Sequence, residues 1–423
     1  MKWHIPDGER TYLRELASKQ AEYAALPVMA ERKQMWYDLN DAKPGARPPV
    51  IIEPWTFDRD FMPERIYRCS SEVGRGIERQ LLRNIRNHEL LDDDKVMPDT
   101  FDLGFFVDID TYGGVKVETH RIKDAQGVET GFNWTHPIAE LRRDLHILKP
   151  PVCSVDIPRT LGYKAFLEDL FGAVLPVCIR SGTYAPCMLT GQVIELMGME
   201  AFFVAMYDCP DQVHQLMAYL RDSALRIMHW AQDNGLLRVN NANQASFGSS
   251  YNFTNELPGA DYQAPAARLS DMWGAANSQE TVGVSPAMYH EFVFPYYRDV
   301  CKVYGRLYYG CCEPAHPFWD DIRQLPHLKK VSISRWCDQN MMAEALRGTG
   351  IVFSRKPDPN FLSVDKTLND QAWAAHIRET LEAARGVFTE FIIRDVYTVH
   401  GNLDNARRCV QIARRQIDRY HRN

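Results

Sequence analysis

The sequence predicts an α/β protein built on a parallel sheet with helical crossovers, and three observations predict it. From about residue 150 onward, short apolar runs alternate with amphipathic helical stretches, the rhythm of strands joined by crossover helices. Polar, reactive residues recur at the C-terminal end of run after run, where a parallel barrel places its catalytic groups. No glycine-rich phosphate loop follows any run, neither GxGxxG nor GxxxxGKS/T, which argues against a Rossmann or P-loop protein. A doubly wound open sheet and a closed barrel share this rhythm, so the pattern alone leaves both standing.

The elements follow in order. The first ~45 residues read as helices, with Leu13, Leu16, Ala17, Tyr23 and Leu26 set among charges, and they end at the break DAKPGARPP. PVIIEP (49–54) reads as a short strand. Residues 64–91 have the spacing of one long amphipathic helix, through Ile66, Val73, Ile77, Leu81, Leu82 and Ile85. After the acidic turn Asp92–Asp94, LGFFVDID reads as a buried strand. VKVETHRI, DAQG and VETGFNW then read as a β-hairpin, an insertion at the edge of the fold. The later strand-like runs are 176–182, 236–243, 268–274, 305–312, 329–336, 350–357 and 389–395. Asp208 with Pro210, and Ser285 with Pro286, read as helix starts.

Bulk properties exclude several classes. Hydrophobic residues at 45% and charged residues at 25% are ordinary for a folded globular chain. A net charge of -6 offers no basic footprint, so nucleic acid is not an expected partner. No stretch reaches the ~20 apolar residues of a membrane span. The N-terminal stretch is mixed and charged, without the apolar segment of a secretory signal. Ten cysteines scattered through a long chain read mostly as small buried hydrophobes in a reducing compartment, and the expected location is cytoplasmic.

The chemistry concentrates after the later runs, in the stretches DMWGAANSQE, CCEPAH, SRWCDQ, RKPDPN and RDVYTVHGN. Cys312 shares its loop with Glu313 and His316, and thiolate, carboxylate and imidazole are zinc-ligand types. Cys337 and Asp338 follow the next run, where Asp338 reads equally as a helix cap. Arg355 and Lys356 bring positive charge to the rim. Asp395 ends the last run beside Arg394 and Tyr397, with His400 beyond. Asp271 and Gln279 read as polar contacts in the cavity, which Trp273 and Trp336 are positioned to line.

These segments carry a family resemblance. VSPAMYHEFVFPYYRDVCKVYGRLYYGCCEP resembles a segment of uroporphyrinogen decarboxylase-like proteins. VCIRSGTYAPCMLTGQVIELMGMEAFFVAMYDCPDQVHQLMAYL resembles another upstream, and HLKKVSISRWCDQ and TEFIIRDVYTVHGN take the places of the last strands. The likeness is collinear over roughly residues 165–423. It implies a (β/α)8 TIM barrel with its cleft at the strand C-termini, often as a homodimer. With the elements above, the expected organisation is an N-terminal helical extension over 1–94 and the barrel, carrying the β-hairpin insertion, over 95–423.

The arginine-rich signature of true uroporphyrinogen decarboxylases is missing, so porphyrin decarboxylation is not expected. The resemblance points instead to the branch of corrinoid-dependent methyltransferases. There a His-x-Cys pair and a later cysteine hold zinc. Here Gly310-Cys311-Cys312 takes the first position, so Cys312 matches the family cysteine while Gly310 replaces the histidine, and no cysteine falls near Asp395 to Tyr397. The expected function is methyl transfer between a small methylated substrate, or a thiol acceptor, and a partner corrinoid protein. Zinc, where bound, would sit on Cys312 with Glu313, His316 or Cys337, while Asp271, Gln279, Asp338, Arg355 and Asp395 meet substrate. A metal-independent decarboxylase or lyase, and a non-catalytic binding barrel, are the alternatives.

Overall fold

The apolar runs of the second half fold into parallel strands. The computed structural model describes residues 3–421, apart from 124–128, 186 and 246–248. In chain order the strands are β1 (Val50–Ile52), β2 (Phe101–Leu103), β3 (Val107–Asp110), β4 (Glu118–Lys123), β5 (Glu129–Thr135), β6 (Val152–Val155), β7 (Val177–Ile179), β8 (Trp273–Ala276), β9 (Arg306–Tyr309), β10 (Leu328–Ile333), β11 (Val352–Arg355) and β12 (Thr389–Ile393). Six of them form one sheet in the order β1-β12-β11-β10-β9-β8, parallel throughout. β2 and β7 make a separate parallel pair. The architecture is mixed α/β. No single helix among the described residues is long and apolar enough to cross a membrane.

β1 pairs with β12, Ile51 opposite Ile392, so a domain boundary after residue 94 would cut through the main sheet. The expected division into 1–94 and 95–423 is corrected accordingly. The expected hairpin forms as the antiparallel pair β4–β5, its turn DAQG lying outside the described residues. β3 and β6 pair antiparallel beside it.

Beyond the two outer strands of the six-strand ladder, side chains meet backbone groups that a neighbouring strand would otherwise bond. On the free side of β1, Val50 N donates to Asp94 Oδ2 (2.7 Å) and Ile52 N to Asp93 Oδ2 (2.9 Å). The acidic turn therefore satisfies N–H groups that another strand would otherwise need to meet. On the free side of β8, the Asn240 amide accepts from Trp273 N (2.8 Å) and donates to Trp273 O (2.9 Å). An asparagine side chain stands there in place of a strand, and the run 236–243 is correspondingly not a strand. One isolated parallel bridge, Cys187 to Ala276, extends the sheet on this side.

Local signals place the helices. The Ser285 hydroxyl accepts from Met288 N and starts helix Pro286–Phe292. Pro210 opens helix Pro210–Asp233, which buries Val213, Leu216, Leu220, Ala224 and Met228 as its 3.6-residue period requires. The stretch expected as one helix over 64–91 is shorter: a turn at Glu64–Ile66, then Glu72–Arg86 capped by Ser71, ending in a wide turn at Asn87–Leu91.

Both faces of the main sheet are buried. One face carries Leu307, Tyr309, Val331, Ile333 and Phe353, packed in one apolar core with Tyr297 and Met342. Val50, Ile52, Phe391 and Ile393 continue it against Trp373 and Val410. Burial of each such side chain contributes roughly 1.5–3 kcal/mol. The other face meets helix Pro27–Asn40, where Trp36 and Leu39 cover Ile51, Val352 and Ile392. Trp273 and Ala275 of β8 also lie on that second face, and most of its other residues are polar.

Candidate functional site

Successive residues of a strand point to opposite faces, and on the second face the alternation lands on polar groups. Tyr308 of β9, Lys330 and Ser332 of β10, Ser354 of β11 and Glu390 of β12 are all buried there. Lys330 Nζ meets Glu390 Oε2 at 3.3 Å and donates to Ser250 Oγ and Tyr251 O, so the lysine of this enclosed ion pair is well partnered, while Glu390 Oε1 is buried without a hydrogen bond. At the C-terminal ends of β9 to β12 the same face opens into a cavity of about 270 Å3, lined among others by Cys311, Cys312, Trp336, Lys356, Asp395 and Tyr397.

The turn after β9 sets the two cysteines. Gly310 has φ +96°, and a Cβ there would lie 2.9 Å from the Ser332 Cβ. Any side chain, including the histidine of the resembling family, is disfavoured both by the backbone and by that contact. Ser332 Oγ donates to Cys311 O (2.7 Å), pinning the turn to β10. Cys311 Sγ and Cys312 Sγ then lie 3.6 Å apart, and Cys312 Sγ is 3.6 Å from Asp395 Oδ2. Asp395 itself sits at φ +59°, a conformation that Asp tolerates better than most residues.

Arg394 is the buried cation behind the pair. Its Nη1 donates to Cys311 Sγ (3.5 Å), and its Nε lies 3.4 Å from Glu53 Oε2 and 3.5 Å from Asp395 Oδ1. The neighbouring Cys312 thiol and the guanidinium hold the Cys311 thiol below its ordinary range. Cys312, facing Cys311 and partly desolvated, is pushed up and keeps its proton. Glu53 also accepts from Ser249 Oγ and Trp55 Nε1. Those two residues line a larger cavity of about 390 Å3, with Met29, His88 and Met97.

Lys356 is the second buried cation. Its Nζ contacts Tyr308 Oη (2.5 Å), Ser354 Oγ (2.5 Å) and Ser354 O (3.2 Å). Burial lowers its ammonium to about 7; Glu390 and Glu53 oppose that fall and Arg394 adds to it. Tyr308, buried beside it, is pushed up and stays a phenol.

The residues singled out in the sequence are placed unevenly. Cys312 and Asp395 meet in the cavity wall. Arg355 does not join them: it lies on the opposite face of β11 from Ser354 and donates to Ser334 O (2.9 Å), with burial lowering it to about 10. Asp271 lies before β8, at the other end of the sheet from Cys311. There Arg268 Nε (2.9 Å) and Gly259 N (3.0 Å) bond its carboxylate. The run 268–274 enters its ladder only at Trp273, which is why Asp271 falls at the wrong end. Gln279 follows β8 at the right end but is exposed. Asp338 caps helix Gln339–Leu346, accepting from Asn340 N and Met341 N at 3.0 Å each.

The four candidate zinc ligands do not gather. Both Glu313 oxygens are taken by backbone N–H groups, of Ser278 (3.1 Å) and Cys311 (2.9 Å), and burial raises its carboxyl. His316 Nδ1 accepts from Asp338 N (3.2 Å). Cys337 is buried against the His316 and Ala315 backbone, its thiol pushed up by burial. Among the described residues no group of three or more His, Cys, Asp or Glu is placed to hold a metal ion. Zinc needs at least three donors converging on one point. The Arg394 guanidinium, moreover, already sets a cation beside Cys311. The residues present do not fit zinc.

Lys356 and Arg394, named in the sequence only as charges at strand ends, and Glu53 and Tyr308, not named there, complete the site. For Tyr308, Lys356 and Arg394 the signal was polar groups at period two inside runs read simply as apolar, YY, VFSRK and TEFIIR; Glu53 gave none beyond its place at the end of PVIIEP.

No known family profile matches the chain, and no curated protein matches it. Among solved structures, a methyltransferase from Methanosarcina mazei is similar, with a TM-score of 0.50 and 14% sequence identity. The alignment covers 91% of this chain and 98% of that chain. At this identity the likeness is one of fold.

Proposed function

We propose that this chain is a methyltransferase of the uroporphyrinogen decarboxylase-like kind, its strands arranged as a (β/α)8 barrel. It would move a methyl group between a small methylated substrate in the Cys311–Asp395 cavity and a corrinoid carried by a partner protein. The observation that carries the reading is the thiol pair Cys311–Cys312 at a parallel-strand end, in a cavity wall with the buried Lys356 and with Arg394 bonded to Cys311 from behind. The fold likeness to a methyltransferase and the segment resemblance support it. The same resemblance makes a homodimer part of the proposal.

The corrinoid supplies the centre that takes or gives the methyl group. A cavity of about 270 Å3 is far too small for a corrin ring, so the carrier must present it at the mouth, past the exposed Trp336 and Tyr397. When the methyl carbon leaves a substrate oxygen, nitrogen or sulfur, the bonding pair stays on that atom and calls for a proton. Lys356, lowered to about 7, is matched to deliver it near neutral pH. Arg394 and Lys356 together stabilise the developing negative charge in a site screened from water. Zinc has no part in this scheme, because its ligands do not converge.

The test uses the purified protein, chemically reduced cobalamin and a panel of methyl donors: methanol, methylamine, dimethyl sulfide and methoxybenzene. Spectroscopic appearance of methylated cobalt, dependent on the protein for at least one donor, is the expected result. Lys356→Met should slow it by about 100-fold or more, the usual contribution of a general acid. Absence of protein-dependent methylation from every donor, with free and carrier-bound cobalamin alike, would reject methyl transfer and favour the decarboxylase or lyase alternative.

A further inference from the structure

Two lysines are buried on the same face of the same sheet, and their surroundings differ. Lys330 lies against the Glu390 carboxylate and is enclosed by Ser250 and Tyr251. Lys356 contacts only uncharged oxygens, of Tyr308 and Ser354, and among the described residues no carboxylate lies within ion-pair distance of it. Lys356 also lines the 270 Å3 cavity. A buried amine facing a ligand-sized space without a counter-ion is chemically different from a structural ion pair.

We infer that Lys356 is a nucleophilic amine that forms an imine with a small aldehyde or ketone bound in the Cys311–Asp395 cavity, an activity beyond methyl transfer. The hydrogen bonds accommodate either protonation state. As the ammonium, Nζ donates to Tyr308 Oη, Ser354 Oγ and Ser354 O; on loss of one proton two N–H groups would keep the Ser354 oxygens and the lone pair would take the Tyr308 O–H. Lowering of Lys356 to about 7 keeps a large neutral fraction at neutral pH, with Glu390, Glu53, Arg394 and Cys311 as the charged or titratable groups acting on it. Tyr308, pushed up, holds the proton to be exchanged.

The step balances without an added reactant. The Nζ lone pair attacks the carbonyl carbon while the C=O π pair moves to oxygen, which takes the Tyr308 proton. The ammonium formed at Nζ returns a proton to Tyr308. Loss of the hydroxyl as water, with that proton, leaves the protonated imine, whose N–H proton returns to the Tyr308 oxygen to give C=N. In sum, amine and carbonyl give imine and water. The cavity volume, nearly twice that of one that holds benzene, suits a carbonyl compound of roughly ten heavy atoms or fewer.

The experiment traps the imine in the full-length protein with propanal and sodium cyanoborohydride at pH 7, followed by peptide mass spectrometry. It needs neither corrinoid nor methyl donor, so its outcome is independent of the methyl-transfer test. Surface lysines near their ordinary value of about 10.4 are almost fully protonated at that pH, so Lys356 should be modified roughly 100-fold faster or more. Lys356→Arg should remove the fast adduct, and Tyr308→Phe should slow it while the circular dichroism spectrum stays unchanged. Two results would overturn the inference in folded wild-type protein: adducts on surface lysines with Lys356 untouched, or equal labelling of Lys330 and Lys356. The second would show that burial alone decides reactivity.

Discussion

The two faces of the main sheet are similarly buried at their strand centres, one almost wholly apolar and the other carrying a polar group on each of β9 to β12. Leu307, Tyr309, Val331, Ile333, Phe353 and Phe391 bury one face against helices. Tyr308, Lys330, Ser332, Ser354 and Glu390, one residue along the same strands, bury the other with a similar lack of solvent contact. Burial therefore does not separate scaffold from site in this protein; what is buried does. Apolar packing on the first face follows from solvation alone. The second face holds charges that cost several kcal/mol each to desolvate, and a fold retains such a cost where it serves chemistry.

The largest test of this contrast compares what restores stability on each face. Phe391→Ala on the helix face is expected to cost about 3–5 kcal/mol through the cavity it leaves. Glu390→Ala on the polar face should cost a similar amount, about 3–5 kcal/mol, by leaving the Lys330 charge buried and unpaired. Removing both charges, in the double variant Lys330→Met with Glu390→Leu, should recover most or all of that loss. Urea unfolding of the three proteins reads the outcome. A double variant no more stable than Glu390→Ala would mean that the pair is packed, not electrostatically matched.

Next in size is a pH effect localised to the polar face. Lys356 is lowered from 10.5 to about 7 in the folded chain, so between those values the unfolded chain binds more protons than the folded one. Stability then rises with pH by up to about 1.4 kcal/mol per unit across that window, from this group alone. Below about pH 7 the group is protonated in both states and contributes no slope. Lys356→Met should flatten the profile between about pH 7 and 10.5 and raise stability most at its acid end. Chemical denaturation of both proteins across that range checks it, and parallel profiles would place the amine in its ordinary range.

The smallest expected effect marks where the site ends. Asp338→Ala should cost about 1 kcal/mol, the ordinary value of a helix cap, with methyl transfer and imine trapping unchanged. A loss of either activity beyond what that destabilisation explains would extend the site to the loop after β10.

Much of the frame was legible in the sequence because its signals are local. Ser285-Pro286, Pro210 and the alternation around DAQG act within a few residues, and the elements they announce are present. So are the strands at 305–312, 329–336, 350–357 and 389–395. Two runs misled for a tertiary reason. At 268–274 the ladder begins only where β9 is available to pair. At 236–243 the Asn240 amide replaces a ladder that the backbone does not make. Of the candidate site, Cys312 and Asp395 were found together. Of the two adjacent rim charges, Arg355 faces the opposite side of β11 and Lys356 lines the cavity, because one residue along a strand turns a side chain to the other face.

The sequence by itself determined which residues alternate, where helices start, and that reactive groups gather at the ends of the last four strands. Tertiary structure alone decided which of two buried faces became the site. Alternation divides the residues into a more polar and a more apolar set, but a polar set ordinarily faces water, and nothing local to the strands says that here it is buried. That choice came from distant parts of the chain: helix Pro27–Asn40 and Ser250 closing over one face, Glu53 reaching Arg394 from the first strand, and side chains of Asp93, Asp94 and Asn240 meeting backbone groups of the two outer strands.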